Sequence, residues 1–248
     1  ASEQMVGYLY QVRYALALLL DDDNSDSQIS IEKFDDVAFV DGNTPIERIQ
    51  LKHHVRKAGN LTDKSTDLWR TLKVWLDVVS KSPDIIEGTE FLIITTASAP
   101  NNTVAFSLRK ENRSQRDADM IDALYEKLKG VCTDSESQGN QKFYEAFLAA
   151  DEKLAKGLIN KIYILDNASN IVDVEKSIRK QVRYSCDRKY EDKVMERLEG
   201  WWYRKAIEGL CSDTPIFILQ DQVRSYIVST GQEYAADNLP IDIFDLGD

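Results

Sequence analysis

ISIEKFDDVAFVDGNTPIERIQLKHH, residues 29–54, places acids, an amide, a lysine and both histidines of the chain on three short runs with the composition of β-strands. The runs cover residues 29–32, 36–40 and 47–54. Asp41, Gly42 and Asn43, between the second and third runs, form a strong turn signal. The stretch therefore predicts three consecutive strands, around which the rest of the chain is arranged.

The third predicted strand carries polar side chains on one face. Because strand side chains alternate between two faces, Gln50, Lys52 and His54 should point the same way. Asp36 begins the second predicted strand. If the two strands are neighbours, a carboxylate, an amide oxygen and an ammonium group lie close together. That grouping suits a divalent cation and a scissile phosphate.

Metal-dependent phosphodiester hydrolysis needs oxygen ligands for Mg²⁺, which lowers the pKa of a bound water, and it benefits from a lysine that neutralises developing charge. Asp36 and Gln50 are the candidate metal ligands, and Lys52 is the candidate lysine. Glu32 is a candidate extra ligand or base, and Asp35 competes with Asp36 as the strand carboxylate. The ordinary alternative is a solvated cross-strand ion pair between Asp36 and Lys52.

Composition indicates a soluble globular protein, with 43% hydrophobic and 29% charged residues among 248. No apolar run approaches the roughly 18 residues of a membrane span, and the N-terminus has no signal-peptide pattern, so we expect a cytoplasmic protein without membrane contact. Cys132, Cys186 and Cys211 are far apart without CxxC spacing, which predicts reduced thiols. A net charge of −11 is unexpected for a protein that binds nucleic acid through phosphates, although basic residues cluster locally.

The remaining elements read as helices and two apolar strands. A helix is predicted before the three strands, within residues 8–20, and a second after them, from Ser65 to residue 82. Residues 91–98 and 161–167 are continuous β-prone runs, typical of strands buried on both faces. Helical patterns fill residues 109–157 and the chain after residue 170, including residues 214–230. The predicted apolar stripe of the second helix comprises Leu68, Leu72, Trp75, Leu76 and Val79.

The order helix, three strands, helix, strand, together with Asp36 and the QxK pattern of Gln50 and Lys52, resembles the PD-(D/E)xK nuclease superfamily. Glutamine replaces the second acid, as in the Mrr-type restriction nucleases. A narrower resemblance is to the dsDNA endonuclease domain that serves as effector in bacterial anti-phage systems of the CBASS and Lamassu types. The segments that carry this resemblance are GYLYQ (7–11), IEKFDDV (31–37), IQLKHH (49–54), LTDKSTDLWRTLKVW (61–75) and RLEGWWYRKAIEGL (197–210).

This resemblance implies an α/β fold with a restriction-endonuclease-like core. Residues 1–168 would form the nuclease core, with a helical insertion at 109–157. Residues 169–248 would form a helical C-terminal region that packs on the core or serves assembly. The implied catalytic set is Asp36, Gln50, Lys52 and Glu32, with Asp36 and Gln50 as metal ligands and Gln11 as a support.

The implied activity is Mg²⁺-dependent endonucleolytic hydrolysis of double-stranded DNA in anti-phage defence, with Mn²⁺ able to substitute. The implied partners are DNA and either a homo-oligomer or a complex with a sensor or SMC-like ATPase subunit of the same system. RNA cleavage would use the same catalytic parts. The alternative is a nuclease-like module with little or no turnover that binds partners or nucleic acid during assembly.

Several other side chains allow both a functional and a structural interpretation. Candidate DNA-backbone contacts are His54, Arg56, Lys57, Arg179, Lys180 and Arg183. The last three lie in KSIRKQVRYSCDRK, residues 176–189, which could equally be a solvated helix face balanced by neighbouring acids. Trp69 and Trp75 are predicted to be core residues, and one of Trp201 and Trp202 is predicted to face the core.

Overall fold

The computed structural model describes residues 2–53, 59–135 and 137–234, which form a mixed α/β fold on a six-stranded sheet. The strands are β1 (Gln28–Ile31), β2 (Val37–Asp41), β3 (Thr44–Lys52), β4 (Glu90–Thr95), β5 (Ile162–Leu165) and β6 (Ile218–Leu219). Their order across the sheet is β5-β4-β3-β2-β1-β6. The pairs from β6 to β3 are antiparallel, whereas β3, β4 and β5 are parallel.

Helices occupy most of the remaining chain. They are α1 (Ser2–Asp21), α2 (Thr66–Lys81), α3 (Ile85–Gly88), α4 (Val104–Ser107), α5 (Ala118–Asp134), α6 (Gln141–Ala149), α7 (Glu152–Lys161), α8 (Ile171–Val182), α9 (Glu191–Cys211) and α10 (Gln220–Glu233). Short 3₁₀ turns lie at Lys110–Gln115, Gln138–Asn140 and Arg188–Tyr190. Among the described residues, no helix is long and apolar enough to cross a membrane.

The helices cover both faces of the sheet. α2 and the helices α5, α6 and α7 share one apolar cluster with Phe91 and Ile93 of β4. α1 packs with α8, α9 and α10 in a second cluster that includes Ile94 of the same strand. Because neighbouring residues of a strand point to opposite faces, the sheet is the central layer between the two clusters. The three helices that follow residue 168, α8, α9 and α10, pack against α1. The domain boundary at residue 168 stays a prediction.

The hairpin between β2 and β3 follows the predicted turn. Asp41 pairs with Thr44, and Gly42 takes a φ of +58°, a conformation that glycine adopts at little cost. β3 then continues beside β4 in parallel register, with Gln50 opposite Ile93. Paired residues point to the same face of a sheet, so the Gln50 side chain lies on the face covered by α2.

The predicted stripe of α2 is confirmed, since Leu68, Leu72, Trp75, Leu76 and Val79 are all buried. The helix begins after Ser65, as predicted. The Ser65 hydroxyl does not cap the helix, however. It accepts from the Thr62 amide at 2.8 Å and donates to the Asn60 carbonyl at 3.1 Å instead. The loop before the helix therefore uses the hydroxyl to hold its own backbone.

Other expectations about packing are also confirmed. Trp69 is fully buried, and Trp202 faces the core while Trp201 is only partly buried and stacks on Tyr226 at 4.7 Å. Cys132, Cys186 and Cys211 are free thiols. The segment between β4 and β5 is mostly helical, as predicted, and contains α5, α6 and α7. The predicted element order holds from α1 to β4, with the short α3 inserted before β4, and membership of the nuclease superfamily stays a prediction.

Two predicted elements were wrong in detail. Residues 214–230 were expected to be helical, yet Ile218–Leu219 forms β6 and α10 begins only at Gln220. Ile218 is buried beside Ile29 of β1, so sheet pairing outweighs the local helical preference. β5 was expected to be a central strand, but it lies at the sheet edge.

Candidate active site

The candidate site lies where the loop between β1 and β2 meets the carboxyl end of β3. The first two strands keep their predicted lengths but are each shifted by one residue, so β1 ends at Ile31 and β2 begins at Val37. Glu32 and Asp36 therefore lie in the loop, and the Glu32 amide donates to the Asp36 carbonyl at 3.0 Å. Glu32 has a φ of +58°, which is unfavourable for a side chain with Cβ. Such strained positions are often associated with functional sites.

Asp36 is held by main-chain and side-chain donors. Its Oδ2 accepts from the Leu51 amide at 2.8 Å, and its Oδ1 lies 3.3 Å from Nε2 of Gln50. The Gln11 side chain of α1 also donates to it. Burial raises the pKa of Asp36, while nearby Lys52 and these hydrogen bonds act in the opposite direction. Gln11 thus contacts Asp36, and its role as a support stays a prediction.

Gln50 connects the buried and accessible sides of the site. Its Nε2 donates to Oδ1 of Asp35, and its Oε1 accepts from Nζ of Lys52 at 2.5 Å. Because a carboxylate only accepts hydrogen bonds and an ammonium group only donates, this pairing fixes the orientation of the amide. The predicted shared face of Gln50 and Lys52 is therefore confirmed.

Lys52 reaches both of the other predicted residues. Its Nζ lies 4.0 Å from Oδ2 of Asp36, and its side chain is 15% exposed. The contact with Asp36 alone would be compatible with a simple ion pair. A second partner, the carbonyl oxygen of Gln50, makes the cluster more specific than a surface pair. A partly buried ammonium beside two oxygen groups is suited to contact an anion from solvent.

Asp35 lies on the inner side of the cluster and is almost entirely buried. Its Oδ2 accepts from Nε1 of Trp75 at 2.5 Å. Burial raises the pKa of Asp35 to about 6, and the hydrogen bonds from Trp75 and Gln50 limit the rise. The Asp36 carboxylate raises the same pKa and the Arg48 guanidinium lowers it. Asp35 therefore supports the site from within.

Glu32 lies at the open side of the loop. Much of its surface is exposed, but the protein around its carboxyl group removes enough water to raise its pKa to about 7. Repulsion from Asp36 and Asp35 adds to this rise, and Lys52 opposes it. A carboxyl group with a pKa near neutrality can exchange a proton at physiological pH.

The site has oxygen donors that fit a divalent cation. The Gln50 amide lies beside Asp36, and three carboxyl groups, those of Glu32, Asp35 and Asp36, lie close to the single ammonium group of Lys52. Mg²⁺ prefers such oxygen ligands and retains several waters. In the part of the chain that the structure describes, no three Asp, Glu, His or Cys side chains are grouped as metal ligands. Gln50 would therefore have to supply an amide oxygen.

His53 lies on the other face of the sheet from Gln50. β3 ends at Lys52, and His53 stacks on Tyr10 of α1 with ring centroids 4.3 Å apart. His53 therefore lies on the opposite face from Gln50, as strand alternation predicts. His54, Arg56 and Lys57, three of the candidate DNA contacts, lie outside the described residues.

The basic run on α8 is largely balanced by acids. Arg179 bonds Glu175 at 2.9 Å and Asp192 at 2.6 Å, and Arg183 lies 3.3 Å from Glu191. Lys180 is exposed on the same helix. These pairs favour the interpretation of a solvated helix face over a DNA-binding patch, although a contact with DNA is untested.

Sequence reasoning missed how Asp35 and Trp75 act together. Trp75 was predicted only as a core residue, and Asp35 only as a competitor for the role of Asp36. A buried indole N–H generally requires an acceptor. That requirement was a signal for a buried partner, but the sequence does not identify which acid meets it.

No protein-family model matches the chain. No curated protein sequence matches it. Among solved structures, the Moraxella osloensis Cap4 SAVED/CARF-domain containing receptor matches over 94% of this chain and 50% of its own, with 15% identity and a TM-score of 0.50. The Acinetobacter baumannii Cap4 SAVED/CARF-domain containing receptor, determined with the cyclic trinucleotide 2'3'3'-cAAA, matches over 92% of this chain and 45% of its own, with 14% identity and a TM-score of 0.47. This chain thus spans about half the length of either receptor, and the first match indicates a shared fold.

Proposed function

We propose that this protein is a metal-dependent endonuclease that hydrolyses phosphodiester bonds of double-stranded DNA. The observation that carries the proposal is the convergence of three groups that were predicted from the sequence. Lys52 Nζ lies 2.5 Å from the carbonyl oxygen of Gln50 and 4.0 Å from the carboxylate of Asp36. A carboxylate, an amide oxygen and an ammonium group are the parts that metal-dependent phosphodiester hydrolysis requires.

Each residue has a separate role in the proposed reaction. Asp36 and the carbonyl oxygen of Gln50 would hold Mg²⁺, which polarises the phosphate and lowers the pKa of a bound water. Lys52 would contact the scissile phosphate and offset the charge that develops during hydrolysis. Glu32, with a pKa of about 7, would accept a proton from the attacking water. Gln11 would keep the Asp36 carboxylate in place.

The neutral amide of Gln50 has a consequence for metal binding. It brings one less negative charge than a carboxylate, so we expect the cation to bind weakly until a substrate phosphate supplies further oxygen ligands. Mn²⁺ should replace Mg²⁺, because it accepts the same oxygen donors. Activity should therefore depend strongly on the concentration of both metal and DNA.

We place this activity in bacterial defence against phage. The family resemblance of the segments around Asp36 and Lys52 implies such a role, and the fold similarity to a Cap4 SAVED/CARF-domain containing receptor is compatible with it. In this proposal the chain acts as the nuclease part of a homo-oligomer or of a complex with a sensor or SMC-like ATPase subunit. Assembly would concentrate several weak metal sites on one DNA molecule.

A second candidate function is a nuclease-like binding module without turnover. The observation that favours it is the pairing of Arg179 and Arg183 with acidic neighbours, which leaves these predicted DNA contacts already neutralised. Such a module would bind partner proteins or nucleic acid during assembly. It would not need Lys52 for its function.

The two candidates are separated by a cleavage assay. Excess purified protein is incubated with linear double-stranded DNA or with RNA of the same sequence, in Mg²⁺, in Mn²⁺ or in EDTA. The proposal predicts cleavage of the DNA with either metal, no cleavage in EDTA, and loss of cleavage in Asp36→Asn. Metal-independent or absent cleavage of DNA by the assembled protein contradicts it, and preferential cleavage of RNA would change the substrate.

A further inference from the structure

The pair formed by Asp35 and Gln50 determines how the amide of Gln50 is oriented. Both carboxylate oxygens of Asp35 have a donor. Oδ2 accepts from the Trp75 indole at 2.5 Å, and Oδ1 accepts from Nε2 of Gln50. Trp75 is fully buried and Asp35 nearly so, which leaves the carboxylate little freedom to rotate.

The orientation has a direct chemical cause. An ionised carboxylate has no hydrogen to donate, so the group that faces Asp35 must be the NH₂ of Gln50. The carbonyl oxygen of the same planar amide must then point away from Asp35. It meets Nζ of Lys52 at 2.5 Å, a group that only donates and therefore favours the same orientation, while Nε2 also lies 3.3 Å from Oδ1 of Asp36.

We propose that Asp35 is a positioning residue that directs the carbonyl oxygen of Gln50 toward Lys52 and the accessible side of the site, and that it is the reason why residue 50 is glutamine and not glutamate. The inference rests on the proposed function, because it concerns the metal ligand named there. A glutamate at position 50 would place two carboxylates within hydrogen-bonding distance in a buried setting. The repulsion would favour protonation of one of them.

The surroundings of Asp35 suit an acceptor. Both of its carboxylate oxygens receive hydrogen bonds, one from the Trp75 indole and one from Nε2 of Gln50. Arg48 is buried nearby, donates to the Phe34 carbonyl at 2.5 Å and attracts the negative charge.

The hydrogen bond between Asp35 and Gln50 predicts what happens when the carboxylate and the amide are exchanged between the two positions. In Asp35→Asn, the new amide would keep its oxygen toward Trp75 and present NH₂ toward Gln50. Gln50 would then meet a donor from the new amide on one side and a donor from Lys52 on the other, so its amide could not satisfy both and its carbonyl oxygen would no longer be held in one orientation. Adding Gln50→Glu would restore the match, because a carboxylate at position 50 accepts from the amide that the first change introduces and still presents an oxygen toward Lys52.

The experiment compares the wild-type protein with Asp35→Asn, Gln50→Glu, the double variant and the exposed control Asp119→Asn. Mn²⁺ binding is measured by electron paramagnetic resonance without DNA, and unfolding by urea at pH 8. We expect Asp35→Asn to bind Mn²⁺ about tenfold more weakly, as for loss of a group that orients a ligand. The double variant should recover wild-type affinity or exceed it. The control should not change.

Unfolding gives a readout that does not depend on the metal. Gln50→Glu should lower the urea midpoint, because it places two carboxylates in contact. Asp35→Asn should remove that loss when it is combined with Gln50→Glu. If Asp35→Asn alone fails to fold, recovery of folding in the double variant supports the inference, and failure to recover contradicts it.

The inference is overturned if the two changes act additively in the unfolding measurement, or if the double variant binds Mn²⁺ no better than Asp35→Asn. A wild-type protein that binds no Mn²⁺ would instead contradict the proposed function. In that case the non-additive unfolding would still establish that Asp35 orients Gln50.

Discussion

Nε1 of Trp75 lies 2.5 Å from Oδ2 of Asp35, a hydrogen bond between residues 40 positions apart in the sequence. It joins the centre of α2 to the loop that carries the candidate metal ligand. The Trp75 ring also packs on Phe91 of β4, with centroids 5.2 Å apart. The helix therefore contributes a donor to the site in addition to covering the sheet.

Trp75→Phe tests this connection. The phenyl ring retains much of the apolar contact but removes the N–H, so ionised Asp35 loses a buried donor. We expect a loss of stability of about 2 kcal/mol at pH 8 for a hydrogen bond to a charged group, with some contribution from the smaller ring. The loss should be smaller at pH 5, where Asp35 holds its proton more often.

The control for this change is Trp69→Phe, measured by the same urea titrations. Trp69 is equally buried, and its Nε1 donates to the neutral carbonyl of Asp63 at 2.7 Å. Its loss should be similar at pH 5 and pH 8. An equal pH dependence in both variants would contradict the account of Trp75.

The raised pKa values of Asp35 and Glu32 predict that stability falls as pH rises. Between the ordinary pKa of 3.8 and the folded value of about 6 for Asp35, the native state binds more protons than the unfolded state. The corresponding window for Glu32 runs from 4.5 to about 7. The free energy of unfolding therefore decreases through both windows, by about 3 kcal/mol in total for the Asp35 shift.

Glu32→Gln should flatten this dependence between pH 5 and pH 8, because it removes one of the groups that lose a proton. Urea unfolding at intervals of half a pH unit provides the measurement, with Glu145→Gln on the exposed side of α6 as the control. A slope in Glu32→Gln that equals the wild-type slope would show that the Glu32 carboxyl is not perturbed by its neighbours.

A third prediction concerns how α10 packs against the segment around Ser185. A Cβ at Gly231 would overlap the main-chain oxygen of Ser185, so Gly231→Ala should cost about 1–3 kcal/mol despite the better helix propensity of alanine. Gly200 in α9 has open space around the same position. Gly200→Ala should therefore stabilise the protein by up to about 1 kcal/mol. Thermal unfolding of both variants measures these changes. A Gly231→Ala protein that is as stable as the wild type would contradict the close approach between Gly231 and the main-chain oxygen of Ser185.

The parts of the site that depend on local periodicity could be predicted from the sequence. Gln50 and Lys52 share a face because strand side chains alternate, and the turn at Gly42 follows from residue type. The distance between Asp36 and Lys52 required only that β2 and β3 be neighbours. The stripe of α2 followed from helical spacing in the same way.

The parts that depend on distant contacts could not be predicted. Asp35 turns inward because the loop adopts a left-handed conformation at Glu32, and because the indole of Trp75 lies within reach. β6 was not predicted, because a strand of only two residues shows no periodicity in the sequence. Ile218 becomes a strand residue only by pairing with Ile29. In both cases tertiary structure determines the role of a short segment.

The most direct test of the central claim is single-turnover cleavage of double-stranded DNA by Lys52→Ala in Mg²⁺. The matched control is Lys153→Ala, an exposed lysine on α7. We predict that Lys52→Ala loses roughly 10²–10³-fold in cleavage rate while its thermal unfolding remains that of a folded protein, and that Lys153→Ala cleaves at the wild-type rate. Undiminished cleavage by folded Lys52→Ala would contradict the assignment of this site as the nuclease centre.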